Sequence, residues 1–354
     1  MLAASDKRTI VEVQYLRAIA VLLVILAHIH QTNARFFSAP LLGDAAFAGF
    51  SGVDVFFVIS GFIIHHIYGG HSGLDGRYFL NRLNRILPLY WIFSALAVAG
   101  YLLMGDSLTH SLGELDLVSS ALLLPSHQPP VLMVGWTLTH ELYFYLAYGL
   151  SLLLPRPWRI RAAAAWGLAS LAYALLPGMP TWPWLAVVLS PFNLLFLGGV
   201  LLASQYHRLE STRWPALALA IAGAATALVW AGQVGLEGLG DQTHRVALFL
   251  PFAIGLTWCV LAWRPAMSTL FARIGDASYS LYLSHILVIG VLGRVLPARL
   301  DSTAWSGPVF YLTCLTACLI VGFASHYGLE RPLVDFGKQL IRRVFPSPPR
   351  SAAS

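Results

Sequence analysis

Only 11% of the 354 residues are charged and 57% are hydrophobic, where a soluble domain carries about a quarter charged residues; the composition excludes an ordinary soluble fold. Mean hydropathy of +0.69 points to an all-α, polytopic membrane protein. The net charge of +6 is almost entirely arginine, the only lysines being Lys7 and Lys338, and loop bias in a membrane protein accounts for it with no nucleic acid as partner.

About ten apolar segments approach the roughly 20 residues that a spanning helix needs. They cover residues 11–31, 49–68, 87–104, 132–154, 161–176, 185–203, 214–231, 245–263, 279–296 and 307–329, the fifth being the shortest. Gly- and Pro-rich stretches punctuate them, as in GGHSGLDG, LPRPW and PGMPTWP. The first run lacks a small-residue cleavage site and reads as a retained helix. With a cytoplasmic N-terminus, the inner segments hold Lys7, Arg8, Arg77, Arg82, Arg85, the arginines of 156–161, Arg208, Arg213, Arg264, Arg273 and the basic C-terminal stretch. The outer ones hold only Arg35, Arg245, Arg294 and Arg299. This asymmetry places both termini in the cytoplasm. No extramembrane stretch is long enough for a second domain and no internal repeat is evident. The expectation is a single membrane domain over 1–354, with a core of about 10–335 and a basic tail at 336–354. Cys259, Cys314 and Cys318 lie in apolar runs and make no disulfide framework.

The first span reads RAIAVLLVILAH from Arg17 to His28. Eleven residues are about three helical turns, so both side chains share a face, roughly 16 Å apart along the axis. An ionisable group inside a span is costly and by default a functional hypothesis. A plainer alternative stands beside it: Arg17 snorkels to lipid phosphate and His28 hydrogen-bonds a neighbouring helix. The second span opens SGVDVFFVISGF, and its Asp54 is placed to orient His28 as carboxylates do imidazoles, or to serve as a buried structural partner. The following loop, RYFLNRLNRILPLYW, carries Arg82 and Arg85 at i, i+3, with Arg77 nearby and Pro88 expected at the start of the third span. Arginine forks suit phosphate and pyrophosphate, although ordinary positive-inside charge would look similar.

The fourth span, GWTLTHELYFY, sets Glu141 deep in the bilayer, where it needs a partner or a water-lined cavity. Trp136, Tyr143 and Phe144 are expected to wall it, and His140 to be structural. In the ninth span, DASYSLYLSH brings His285 with a run of hydroxyls; packing and function are balanced readings. The chain then reaches HYGLERP, where Glu330 and Arg331 form a cap or a further phosphate contact. No HExxH, paired CxxC, GxxxxGK[ST] or GxSxG signature occurs, so no metal is expected.

Sorted by depth, Arg17, Arg82, Arg85 and Arg331 lie toward the cytoplasm, Glu141 and His285 deeper, and His28 and Asp54 nearest the outside. That order describes an anion-binding mouth inside and a general base farther out. Coenzyme A fits such a path, with its phosphates on the arginines and its pantetheine arm reaching toward His28.

Taken in order, RAIAVLLVILAH, GVDVFFVISGF, RLNRILPLYW, GWTLTHELYFY, GDASYSLYLSH and the terminal ERP resemble the acyltransferase 3 family of integral membrane acyltransferases, over residues 10 to 335. The family's Arg-x10-His motif falls on Arg17 and His28, and its Arg-x-x-Arg motif on Arg82 and Arg85. The resemblance implies a multi-pass enzyme of the bacterial inner membrane that moves acetyl from cytoplasmic acetyl-CoA to a hydroxyl of a cell-surface or lipid-linked polysaccharide. It implies His28 as the catalytic histidine and the arginine pair as the coenzyme A site. The GWTLTHE form is most like exopolysaccharide acetyltransferases. Some relatives add a soluble hydrolase-like domain after the last helix; here about 20 residues follow ERP, so any such chemistry is expected from another protein. His28 would act as general base with Asp54 or Glu141 behind it, or as an acyl-carrying nucleophile, and Trp136, Tyr143 and His285 would contact the acceptor. Membrane lipid is the surrounding partner, and homodimerisation is left open. The alternative from another class is a transporter or flippase of a lipid-linked saccharide that uses the buried His and Glu as a proton relay. The one-sided arginines and the missing repeat speak against it.

Overall fold

The computed structural model describes residues 10–36, 42–104, 112–176, 178–300 and 305–345, and among these it contains helices and turns but no strand. The helices run in the order α1 (Val11–Phe36), α2 (Ser51–Tyr68), α3 (Gly76–Met104), α4 (Leu117–Leu122), α5 (Gly135–Ser151), α6 (Arg156–Leu175), α7 (Pro183–Val188), α8 (Asn193–Ser204), α9 (Arg213–Gly238), α10 (Gln242–Trp263), α11 (Thr269–Asp276), α12 (Ser278–Val295), α13 (Ser306–Ser325) and α14 (Arg331–Val344). A tight 3₁₀ segment, Asp44–Phe50, leads into α2, and a π-helical turn, His326–Glu330, joins α13 to α14. Caps follow from the sequence: the Asp116, Asp241 and Ser268 side chains accept backbone N–H groups at the starts of α4, α10 and α11. Pro157, Pro183 and Pro332 occupy first turns, where a missing N–H costs nothing.

Eight helical stretches among the described residues are long and apolar enough to cross a membrane. The two remaining segments of the sequence reading are α5, a helix of 17 residues, and α6, which opens with Arg156, Arg159 and Arg161. Pro88 does not begin the third span as expected: α3 starts twelve residues earlier, at Gly76, and Pro88 lies inside it. The proline removes a single ladder bond, and Arg- and Leu-rich sequence before it propagates helix readily. Arg77, Arg82 and Arg85 are therefore helical residues, not loop residues.

The chain divides into two compact units. The first takes the described residues of 1–66, 195–279 and 299–315. Its helices approach closely where side chains are missing: a Cβ at Gly61 of α2 would collide with the Phe196 carbonyl of α8, and one at Gly223 of α9 with the Phe252 backbone of α10. Phe47, Ala48, Ala227, Ala231, Leu239 and Phe249 form an apolar core that joins the 3₁₀ segment to α9 and α10.

The second unit takes 67–194, 280–298 and the described residues of 316–354. Here α3 and α5 run antiparallel, with Gly135 against the Tyr90 ring and Gly149 against Tyr78 and Phe79, and the Tyr78 hydroxyl donates to the Tyr145 carbonyl at 3.0 Å. The corner between α5 and α6 meets the corner between α2 and α3. Arg156 donates to the Gly70 carbonyl at 2.8 Å, Arg159 donates to the His71 carbonyl at 2.8 Å, and the Gly73 N–H donates to Leu152 O at 3.2 Å. Two corners at one end are what two further crossings require. Packing of α14 on α3 is fixed by Asn84, whose amide donates to Val334 O at 2.9 Å.

Candidate functional site

In the first unit, the α1 stripe of Arg17 and His28 is retained on a continuous helix. Arg17 is half-buried and His28 is 9% exposed. His28 Nδ1 donates to the Val24 carbonyl at 2.9 Å. A carbonyl can only accept, so Nδ1 carries the proton and Nε2 the lone pair of the neutral ring. The ring stands edge-on to Phe50, with centroids 4.8 Å apart, and Thr32 donates to the His28 carbonyl at 3.0 Å. The tautomer-fixing place expected for a carboxylate is thus held by the preceding turn of the same helix.

Asp54 is fully buried. Its Oδ2 accepts from Arg245 at 3.0 Å, and the same guanidinium nitrogen donates to Phe50 O at 3.2 Å. Arg245 was assigned to an outer loop by sequence, but it lies one turn inside α10 and is 9% exposed. Asp241 starts that helix early, with its carboxylate accepting the Thr243 and His244 N–H groups at 2.9 and 3.2 Å, and so turns Arg245 inward. Arg245 also acts electrostatically on His28. Imidazole, carboxylate and guanidinium therefore form one buried charged group around Phe50. Nothing local in the sequence signals that pair, because its members are 191 residues apart.

In the second unit, Arg82 is half-buried between two phenol rings, 5.8 Å from the Tyr68 centroid and 5.5 Å from Tyr145. The Tyr145 hydroxyl donates to the Glu141 carboxylate. Glu141 is thereby tied, through a tyrosine, to the Arg82 seat. The three aromatic side chains of α5 expected around it have ring partners of their own. Trp136 packs on His140 and Phe192, Tyr143 on Trp184 and Phe144 on Trp166. By periodicity Trp136 and Tyr143, seven apart, share a face that Glu141 does not.

Arg85 faces Glu330 electrostatically. That carboxylate is 7% exposed and accepts from Ser280 Oγ at 2.6 Å and from His326 Nδ1 at 2.8 Å. Ser280 belongs to the hydroxyl run of the ninth span, whereas nothing in the sequence marks His326; the π turn brings His326 and Glu330 together, and π turns recur at functional positions. Arg331 is exposed and lies over the Tyr327 ring at 4.9 Å. His285 is fully buried, its Nδ1 donating to Tyr282 O at 2.7 Å, while the Tyr282 and Thr137 hydroxyls pair at 2.9 Å. His285 thus accompanies the start of α5. Among the described residues no three His, Cys, Asp or Glu side chains are grouped to hold a metal ion.

A family model described as an acyltransferase domain matches residues 10–327 of the chain. Exopolysaccharide production protein ExoZ of Rhizobium meliloti (strain 1021) is 31% identical over 325 residues, which cover 87% of this chain and 96% of that one. The putative peptidoglycan O-acetyltransferase YrhL of Bacillus subtilis (strain 168) is 27% identical, over 93% of this chain and 56% of its own. Acyltransferase MdmB of Streptomyces mycarofaciens is 26% identical, over 90% and 89%. No solved structure matches.

Proposed function

The chain belongs to the acyltransferase 3 family, and from that premise we propose that it is a membrane-bound carbohydrate O-acetyltransferase, with acetyl-CoA as donor and a polysaccharide or lipid-linked saccharide as acceptor. Two relatives support the acceptor class by name, one an exopolysaccharide production protein and one a putative peptidoglycan O-acetyltransferase. The observation that carries the proposal is His28: a buried imidazole with Nδ1 committed to a backbone carbonyl, three turns along one helix from Arg17.

His28 Nε2 takes the proton from an acceptor hydroxyl. The oxygen attacks the thioester carbonyl, and the tetrahedral adduct collapses with expulsion of the coenzyme A thiolate. The imidazolium returns its proton to that sulfur, so the products are the acetyl ester and free coenzyme A. The Asp54–Arg245 pair keeps this apolar region near neutrality while placing a guanidinium where negative charge develops. Arg82 and Arg85 hold the donor's phosphates; the tyrosine seat and Glu330 keep their guanidinium groups in fixed positions. The family assignment and this placement of charge leave the bacterial inner membrane as the expected site of action, with both termini inside.

The test uses purified protein, labelled acetyl-CoA and polysaccharide. His28→Ala should remove transfer by at least 10³-fold, on the order of a lost general base, with unchanged thermal stability; retained transfer would take His28 out of the chemistry. Arg85→Ala should raise the acetyl-CoA KM about 10-fold or more, the scale of one charge-assisted hydrogen bond, and leave kcat within a few-fold. An unchanged KM would make the cluster a topology signal only.

A further inference from the structure

In the second unit, α14 follows directly on the last apolar run of the chain, 307–329, and is built differently from it. Its sequence, RPLVDFGKQLIRRV, carries the cations Arg331, Lys338, Arg342 and Arg343 against a single acid, Asp335. The helical period sorts these side chains into separate faces. Leu333, Val334, Gly337 and Ile341 make a half-buried face. It is turned toward α3: Val334 and Gly337 lie against Asn84, and just past the helix a Cβ at Gly76 would meet the Phe345 ring at 3.3 Å. Phe336, Leu340 and Val344 recur every fourth residue and make a second apolar stripe. That stripe is uncovered, at 61, 43 and 70% exposure. Arg331, Lys338 and Arg342 line the side opposite Leu340, and Arg343 stands on the flank beside Phe336.

Two of the cations already have partners. Lys338 donates to Asp335 at 2.9 Å, and Arg331 lies over Tyr327. Arg342 and Arg343 are exposed and form no hydrogen bond or ion pair among the described residues. The basic corner at Arg156 and Arg159 is different, since its guanidinium groups are spent on backbone carbonyls. Topology bias asks for charge alone and not for an open apolar stripe beside it. A second copy of α14 would cover the stripe only by bringing like charges together. A phosphate free in solution would use the two arginines and leave the stripe in water. A phospholipid of negative headgroup satisfies both features, and basic clusters directly after a span or on an amphipathic helix are suited to it.

We propose that α14 binds anionic phospholipid of the cytoplasmic leaflet, with Arg342 and Arg343 on the headgroup and Phe336, Leu340 and Val344 against the acyl chains. The choice of leaflet rests on the reading of the C-terminus as cytoplasmic; the binding itself does not depend on it, nor on the acyl-transfer reading. Zwitterionic lipids bring the same chains with no net charge, so the helix discriminates between lipids by headgroup.

The test uses the full chain in a non-ionic detergent, with native mass spectrometry reading bound phosphatidylglycerol against bound phosphatidylcholine at equal concentrations. A basic residue near an anionic lipid surface is worth roughly five-fold in affinity. Arg342→Gln combined with Arg343→Gln should therefore lower the preference for phosphatidylglycerol by at least that factor. Arg208→Gln combined with Arg273→Gln, at exposed arginines of the first unit, should leave it as in the wild type. Phe336→Ser combined with Leu340→Ser should weaken both lipids alike, and glycerophosphoglycerol, the headgroup without chains, should displace neither. A wild type with no preference, a preference that survives in the α14 arginine variant, or an equal loss in the Arg208 and Arg273 variant would overturn the lipid site. Displacement by the chain-free headgroup would make the arginines a seat for soluble phosphate instead. An acetyl-CoA KM raised in the α14 arginine variant with its lipid preference intact would give them to the donor; either result overturns the proposal. Detergent opens both sides of the protein to lipid, so a failed preference counts against α14 and not against the topology, which impermeant labelling at Lys338 decides separately.

Discussion

At the scale of single residues, the buried Asp54–Arg245 pair sets the sharpest expectation. Removing one partner of such a pair leaves a bare charge in an apolar interior, at a cost of about 3–5 kcal/mol, whereas an apolar replacement of both is often neutral. Asp54→Leu should therefore lower the melting temperature strongly, and Asp54→Leu combined with Arg245→Met should recover most of it. Additive losses would mean that the two side chains do not act as a pair. Activity should fail in both variants, because the charge balance beside His28 is altered in each. The common face of Arg17 and His28 was legible from their spacing alone, since an apolar run of that length fixes the helical period. Asp54 was legible as a buried acid, but its partner was not. Arg245 sits at the edge of an apolar run, where topology charge and buried charge look alike, and only the fold brings it to Phe50.

At the scale of elements, the start of α10 controls where Arg245 stands. The Asp241 carboxyl is held below the usual carboxylate range by hydrogen bonds from the His244 ring and from the His244 and Thr243 N–H groups. A depressed carboxyl stabilises the fold above its unfolded value of about 3.9, and loses that contribution as pH falls through the folded value. Acidification below about pH 4 should thus fray the first turn of α10, read as faster hydrogen exchange at Thr243 and His244. Asp241→Ala should give the same exchange at neutral pH, lose about 1 kcal/mol, and show no further response to acid; an acid response that survives the substitution would place the titration elsewhere. Helix positions were largely legible, as apolar runs with Asp, Ser or Pro at their starts. The misplaced boundary of α3 has a physical cause: a proline reads locally as a break, yet a long helix with lateral packing absorbs one missing bond.

At the scale of the whole molecule, the helical class is legible in the sequence and the number of crossings is not. Eight stretches satisfy length and apolarity by themselves; α5 and α6 fall short of that standard, and the corner joining them to the α2–α3 turn argues for their crossing. Single-cysteine labelling with an impermeant maleimide, in a background without Cys259, Cys314 and Cys318, checks this. Probes at Lys338 and Arg156 should react only from the cytoplasmic side and one at Glu237 only from the other. A probe at Arg156 that reacts from outside would remove both crossings. The two-unit division was not visible in the sequence, since each unit is assembled from three separated stretches.

The start of α5 at the level of Tyr90 has a consequence for permeation. Tyr90 lies halfway along α3, and its hydroxyl donates to Ser120 O at 2.7 Å, so the stretch before α5 is drawn to mid-helix depth. Its backbone is met by side chains, as where the Val131 N–H donates to Ser120 Oγ at 3.0 Å. Irregular backbone at that depth persists only when enclosed by protein or wetted. If α5 spans, its roughly 25 Å of helix falls short of a hydrocarbon core of about 30 Å, and the stretch before it would line a locally thinner barrier.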